Sequence, residues 1–154
     1  LNKRKILFVC TGNAARSVMA ENLFRVITQD QGLPFLAESA GIKAPEGALA
    51  TPETVKILGE EGIDATGHKS RRVTRQMIEE ADRILIMEKA HRDELLKLEP
   101  QSAPKIELLT SFSSDLERVK AGCDVADPVF MSETFYKNIC DVVKDCVRGF
   151  IKRL

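Results

Sequence analysis

Cys10 and Arg16 stand with five residues between them in the stretch ILFVCTGNAARSVMAE, residues 6 to 21. A thiol and a guanidinium at that spacing can share one tetrahedral oxyanion. Arg16 offers a planar fork of N–H donors that grips two oxygens. A thiol kept as thiolate by positive surroundings is a nucleophile facing a bound phosphoester. Between the two, Thr11, Gly12, Asn13, Ala14 and Ala15 supply backbone N–H groups able to turn into one cup. Gly12 and Asn13 tolerate positive φ, and the alanines stay out of the way. A helix N-terminus after this loop favours an anion at the same place. C-x5-R alone is a weak motif; a buried Cys used as a small hydrophobe beside a surface arginine has the same spacing. The apolar strand before it, the Gly within it and the helix after it carry the argument.

Sulfur attack on a phosphoester leaves an oxygen that needs a proton, and a water must later lose one. One carboxyl group can do both in turn. Asp127, in VADPVF, is the candidate, because Pro128 stiffens its loop and keeps it out of helical geometry. Asp-Pro is also a common turn initiator. Asp115 and Asp124 remain open alternatives.

These groups need a scaffold. Residues 5 to 9 (KILFV) read as a buried strand. Residues 17 to 29 read as a helix capped by Ser17, with Met19, Ala20, Leu23, Phe24 and Ile27 on one face. Residues 35 to 40 form a second strand ending at Gly41. Thr51, Pro52 and Gly62 punctuate a helix at both ends. A short helix runs from Thr74 to Ala81, a strand over 83 to 87, a helix over 88 to 98 and a strand over 105 to 109. A Ser- and Asp-rich loop reaches about residue 130, and a helix spans roughly 131 to 153. The order β-α-β-α-α-β-α-β-α predicts an α/β fold, a single doubly wound four-stranded parallel sheet with helices on both faces. In such sheets ligands bind beyond the carboxyl ends of the strands, which is where Cys10 falls.

The totals agree with one domain over residues 1 to 154. Lys plus Arg equals Asp plus Glu, 23 each, so no global field recruits nucleic acid or an anionic membrane, and an anion site must be local. No apolar stretch approaches the ~20 residues of a membrane span, and no signal peptide is visible. The four cysteines make no C-x-x-C pair and only two histidines exist, so no metal cluster is expected. Cys140 and Cys146 point to different helix faces, and a reduced, cytoplasmic protein is the natural reading. On the residues alone, His68 reads as a partly buried histidine, Ser39 as a strand-end hydroxyl, His91 as a solvated helix residue and KSRRVTR (69 to 75) as a solvated charge run.

CTGNAARSVMAE resembles the phosphate loop of the low-molecular-weight protein tyrosine phosphatases, C-x-G-N-x-C-R-S-P-M-A-E. The resemblance continues through ESAG (38 to 41), GIDATGHKSRRVT (62 to 74), ADRILIME (81 to 88) and ADPVF (126 to 130), nearly the whole chain in order. It implies a flavodoxin-like fold of the phosphotyrosine phosphatase I type and a metal- and cofactor-free hydrolase acting on phosphorylated protein. Cys10 is then the nucleophile of a phosphocysteine intermediate, Arg16 the phosphate clamp and Asp127 the general acid and base. Ser17 donates toward the sulfur, and Asn13 holds the loop through Ser39 and His68. A monomer is expected.

Three departures stand out. Ala15 replaces the second loop cysteine of the family, so a protective disulfide with Cys10 is not expected. Val18 replaces a proline. Val129 and Phe130 replace a tyrosine pair, and Phe130 is left to wall the substrate cleft. Thr11 stands where eukaryotic-type members carry an aliphatic residue, which makes it a candidate for setting substrate preference. Bacterial members sharing CTGN include a protein arginine phosphatase and arsenate reductases. Phosphotyrosine is the preferred reading and phosphoarginine the alternative. Arsenate reduction needs further thiols, which ADRILIMEK lacks, and a non-catalytic phosphate-binding module would not need an intact nucleophile, clamp and acid.

Overall fold

The computed structural model describes residues 3–154. Its strands are β1 (Arg4–Cys10), β2 (Phe35–Gly41), β3 (Arg83–Ile86) and β4 (Ile106–Leu108), in the order β2-β1-β3-β4 and all parallel. Its helices are α1 (Arg16–Asp30), α2 (Pro52–Glu60), α3 (Arg75–Glu80), α4 (Lys89–Leu98), α5 (Leu116–Ala121) and α6 (Glu133–Ile151), with 3-10 turns at Pro100–Lys105 and Leu109–Phe112.

Strand β1 shows why its sequence is continuously apolar. Ile6, Phe8 and Cys10 join the core formed with Leu23 and Phe24 of α1 and with Val143, Val147 and Phe150 of α6. Leu7 and Val9 face the other way, against Ile78 of α3, Ile84 and Ile86 of β3 and Leu95 of α4. Alternate side chains leave opposite faces, and both faces are covered, so every position must be apolar.

The elements differ from expectation in instructive places. The segment after β4 is not a plain loop: α5 lies within it, started by Asp115, whose carboxylate accepts from the N–H groups of Glu117 and Arg118, and ended by left-handed Gly122. No residue of α5 is buried, so it leaves no hydrophobic periodicity to read. Helix α1 begins at Arg16, one residue earlier than expected, and Ser17 does not cap it; Ala15 holds the N-cap position without a side-chain hydrogen bond. The last helix is shorter than expected, because Ser132 caps it through the Phe135 N–H.

Candidate active site

Cys10 ends β1 between β2 on one side and β3 on the other. The crossovers from these neighbours leave in opposite directions, which opens a crevice at the carboxyl edge. The loop that follows is held by its carbonyls. Cys10 O accepts from Ile42 N–H (2.9 Å), Thr11 O from Lys43 N–H (2.9 Å), Asn13 O from His68 Nε2–H (2.8 Å) and Ala14 O from Thr51 N–H (3.0 Å). No peptide bond here is cis. In a trans peptide the N–H lies opposite the carbonyl, so the N–H groups of Thr11, Gly12, Ala14 and Ala15 face away from those partners. The Asn13 N–H donates to Cys10 Sγ at 3.2 Å. Among the described residues these four N–H groups have no acceptor, so the loop that follows the sulfur keeps free donors. Gly41 lets β2 come this close: a Cβ there would stand 2.6 Å from Thr11 O and 2.9 Å from Asn13 N.

Asn13 is the keystone of the loop. It is fully buried and takes the positive φ of 51°, a conformation Asn accepts more readily than most residues. Gly12, also expected to help here, is not among the positive-φ residues. The Asn13 amide donates to Ser17 Oγ (2.9 Å) and Ser39 Oγ (2.9 Å), while its Oδ1 accepts from Arg71 N–H (3.0 Å). Ser39 in turn donates to Glu21 Oε1 (2.5 Å). Having accepted from Asn13, Ser17 retains its own proton for Cys10 Sγ at 2.9 Å. Ser39 is therefore more than a strand-end hydroxyl. The basic run is more than a solvated face, because the Arg71 backbone holds Asn13 and its Nε donates to Ser39 O (3.0 Å).

Arg16 is 1% exposed. Its Nη1 donates to Glu88 Oε2 (2.6 Å) and Val125 O (2.7 Å). Its Nη2 stands 3.4 Å from Thr11 Oγ1 and 3.6 Å from Asp127 Oδ2. Of the three candidate acids, only Asp127 meets the guanidinium. Asp115 caps α5, and Asp124 accepts from Lys89 N–H at 2.8 Å. The Asp127 side chain is half exposed, and its Oδ1 accepts from Val129 N–H (3.1 Å) in a local turn. Glu88 and Val125 went unrecognised in the sequence. Their signal is positional: Glu88 follows β3 at the same sheet edge as Cys10.

His91 overturns the expectation of a solvated residue. It is 4% exposed; its Nε2 lies 2.9 Å from Thr11 Oγ1, and its Nδ1 accepts from Glu88 N–H at 3.1 Å. Burial pushes its pKa below the usual imidazole range, with Arg16 adding to the effect and Glu88 opposing it.

Cys10, Arg16 and Asp127 line one cleft of about 620 Å³, with Ala14, Pro45 and Phe130 among its walls. Phe130 is fully exposed at the rim and has φ of 69°, a strained value for an aromatic residue. The other buried thiols are different: burial pushes Cys140 and Cys146 up to about 11. All four cysteines are free. Among the described residues, no cluster of three His, Cys, Asp or Glu is arranged for a metal ion, and no helix is long and apolar enough to cross a membrane.

Residues 5–154 match the family described as low molecular weight phosphotyrosine protein phosphatase. The chain belongs to that family. Among its relatives is a protein-arginine-phosphatase of Bacillus subtilis, 34% identical over 149 residues, covering 97% of this chain and 95% of the relative. A solved low molecular weight protein tyrosine phosphatase from T. tengcongensis superposes with a TM-score of 0.90 at 33% identity, over 99% of this chain and 100% of the other. The YwlE arginine phosphatase, solved as a mutant with a phosphorylated active-site serine in place of cysteine, superposes with a TM-score of 0.87 at 33% identity, over 97% and 95% of the two chains. The protein is accordingly a phosphatase of this family, a hydrolase of phosphorylated protein. Its sheet is the family's sheet.

Proposed function

We propose that this phosphatase hydrolyses phosphotyrosine in proteins through a phosphocysteine formed on Cys10. The observation that carries the reading is the convergence of two donors on the Cys10 sulfur, 3.2 Å from Asn13 N and 2.9 Å from Ser17 Oγ, beneath a buried Arg16. Donors aimed at the sulfur suit a thiolate nucleophile. The loop N–H groups and the Arg16 fork stabilise the equatorial oxygens as charge shifts during transfer. As the S–P bond forms, the P–O bond to tyrosine breaks, and Asp127 delivers its proton to the departing phenolate oxygen. A water then attacks phosphorus, Asp127 takes its proton, the S–P bond breaks and inorganic phosphate leaves.

The phosphorylated serine of the YwlE mutant supports a covalent phosphoenzyme in this family. Thr11, Gly12, Asn13, Ala14 and Ala15 bind the phosphoryl group. Phe130 and Pro45 flank the aromatic ring, and Ser39 and His68 support Asn13. The enzyme works as a single-domain, cytoplasmic monomer without metal.

Phosphoarginine is the second reading, favoured by the similarity to the protein-arginine-phosphatase of Bacillus subtilis. Turnover of matched phosphotyrosine and phosphoarginine peptides separates the two. A kcat/KM at least about tenfold higher on phosphotyrosine is expected, a difference of ~1.4 kcal/mol in transition-state binding. The reverse ratio overturns the substrate assignment and leaves the nucleophile in place.

A further inference from the structure

We propose that His91 is a positioning residue for the oxyanion clamp, working as a neutral imidazole protonated on Nε2. The proposal rests on the phosphatase reading above. Its basis is hydrogen-bond bookkeeping in a buried site. The Glu88 backbone N–H is a donor, so the His91 Nδ1 it meets at 3.1 Å must be a bare acceptor. A neutral ring then carries its proton on Nε2 and donates it to Thr11 Oγ1 at 2.9 Å.

Those two partners flank the guanidinium. Thr11 Oγ1 stands 3.4 Å from Arg16 Nη2, and Glu88 Oε2 stands 2.6 Å from Arg16 Nη1. One ring, from a helix more than seventy residues downstream of the loop in sequence, therefore fixes a neighbour of Arg16 on each side. The same contacts define what Thr11 does. Its oxygen accepts from His91 and faces Arg16, so the residue is a strut between α4 and the clamp, and its place in the cleft depends on His91.

The device is pH-sensitive. A proton added to His91 must go on Nδ1, where it faces the Glu88 N–H and ends that hydrogen bond. The charged groups around the ring are Glu88, whose Oε2 lies 3.6 Å from Nε2, with Asp124 and Asp127, which favour the proton, and Arg16, which opposes it. Burial is the largest influence and also opposes it. The folded ring thus binds its proton less readily than the unfolded one, whose pKa is about 6.5. In the window below that value the unfolded chain takes up the proton first. The His91 contribution is complete above it and is lost as pH falls through the lower folded pKa.

The test uses the full chain and three variants, His91→Leu, His91→Gln and Thr11→Val. Orthovanadate affinity and p-nitrophenyl phosphate kinetics are measured from about pH 5 to 8, the range in which histidine titrates, and the His91 nitrogen shifts are read by NMR. In wild type, Nε2 is expected protonated and Nδ1 bare at neutral pH. His91→Leu should weaken vanadate and lower kcat/KM together by about tenfold, the scale of one lost buried hydrogen bond. His91→Gln retains a donor for Thr11 and should recover most of that affinity at neutral pH, but without the acid-side decline. Thr11→Val should match His91→Leu, and the double variant should add little to either.

A folded His91→Leu with wild-type affinity and pH profile overturns the proposal, as does a Gln variant no better than Leu, or a protonated Nδ1 at neutral pH. If His91→Leu fails to fold, Thr11→Val and the nitrogen shifts decide. Wild type that neither binds vanadate nor turns over sinks the phosphatase reading instead, and the nitrogen shifts then judge the hydrogen-bond assignment alone.

Discussion

Cys10 and Cys146 are both buried thiols on the same side of the same sheet, yet their surroundings differ in kind. Cys146 lies in α6 with its thiol pushed up to about 11 by burial, with Asp145 adding to the effect. Cys10 ends a strand, with the Asn13 N–H and the Ser17 hydroxyl on its sulfur and Arg16 beside it in the same cleft. Burial alone makes a cysteine inert. A chemical site appears only where the backbone turns donors toward the sulfur, and that turn is built by Asn13 and by the close approach of Gly41.

The largest test of this contrast is Cys10→Ser. Its kcat should fall by more than about 10³-fold, as for removal of a nucleophile in a coupled catalytic set, with an unchanged circular dichroism spectrum. Near-full activity would make the two thiols equivalent. Arg16→Lys comes next. An ammonium lacks the fork, so kcat should fall roughly 10²–10³-fold, the scale of losing a preorganised oxyanion donor. Phosphate affinity, read by calorimetry, should fall with it, and retained tight binding would remove Arg16 from the clamp.

Asn13→Ala should act on the fold as well as on rate. It leaves the half-buried Arg71 N–H without its acceptor and puts Ala at a left-handed φ, together costing about 1–3 kcal/mol in urea denaturation. A loss below half a unit of that scale would mean the loop is held by its carbonyl contacts alone. The smallest effect belongs to Cys146→Ala. Stability should fall by roughly 1 kcal/mol from the small void left, while kcat stays within about twofold. A large kcat loss with normal stability would assign chemistry to the wrong thiol.

The sheet was legible because its signals are local. KILFV and RILIM are short apolar runs, and Thr51-Pro52 marks a helix start whatever surrounds it. Thr74 does the same for α3, accepting from Met77 N–H at 3.2 Å. The missing parts were those whose meaning is long-range. His91 sits among charged neighbours in EKAHRDELL, which reads as a wet helix face. At the first turn of α4 its ring reaches across to Thr11, eighty residues away in sequence. Glu88 reads as an ordinary charged residue until β3 lies beside β1 and brings it to Arg16. Ser17 has the composition of a helix cap, yet its hydroxyl serves Cys10. Residue type predicted which atoms are polar, while topology decided which polar atoms meet.

The central claim concerns one covalent bond. Rapid acid quench of the enzyme turning over a phosphotyrosine peptide, followed by peptide mass mapping, should find a single phosphoryl group on the peptide bearing Cys10. With p-nitrophenyl phosphate, whose good leaving group needs little help from an acid, the adduct should accumulate in Asp127→Asn, which lacks a base for the second step, and be absent in Cys10→Ala. A phosphoryl group on any other residue, or steady turnover with no adduct in either enzyme, would contradict the account.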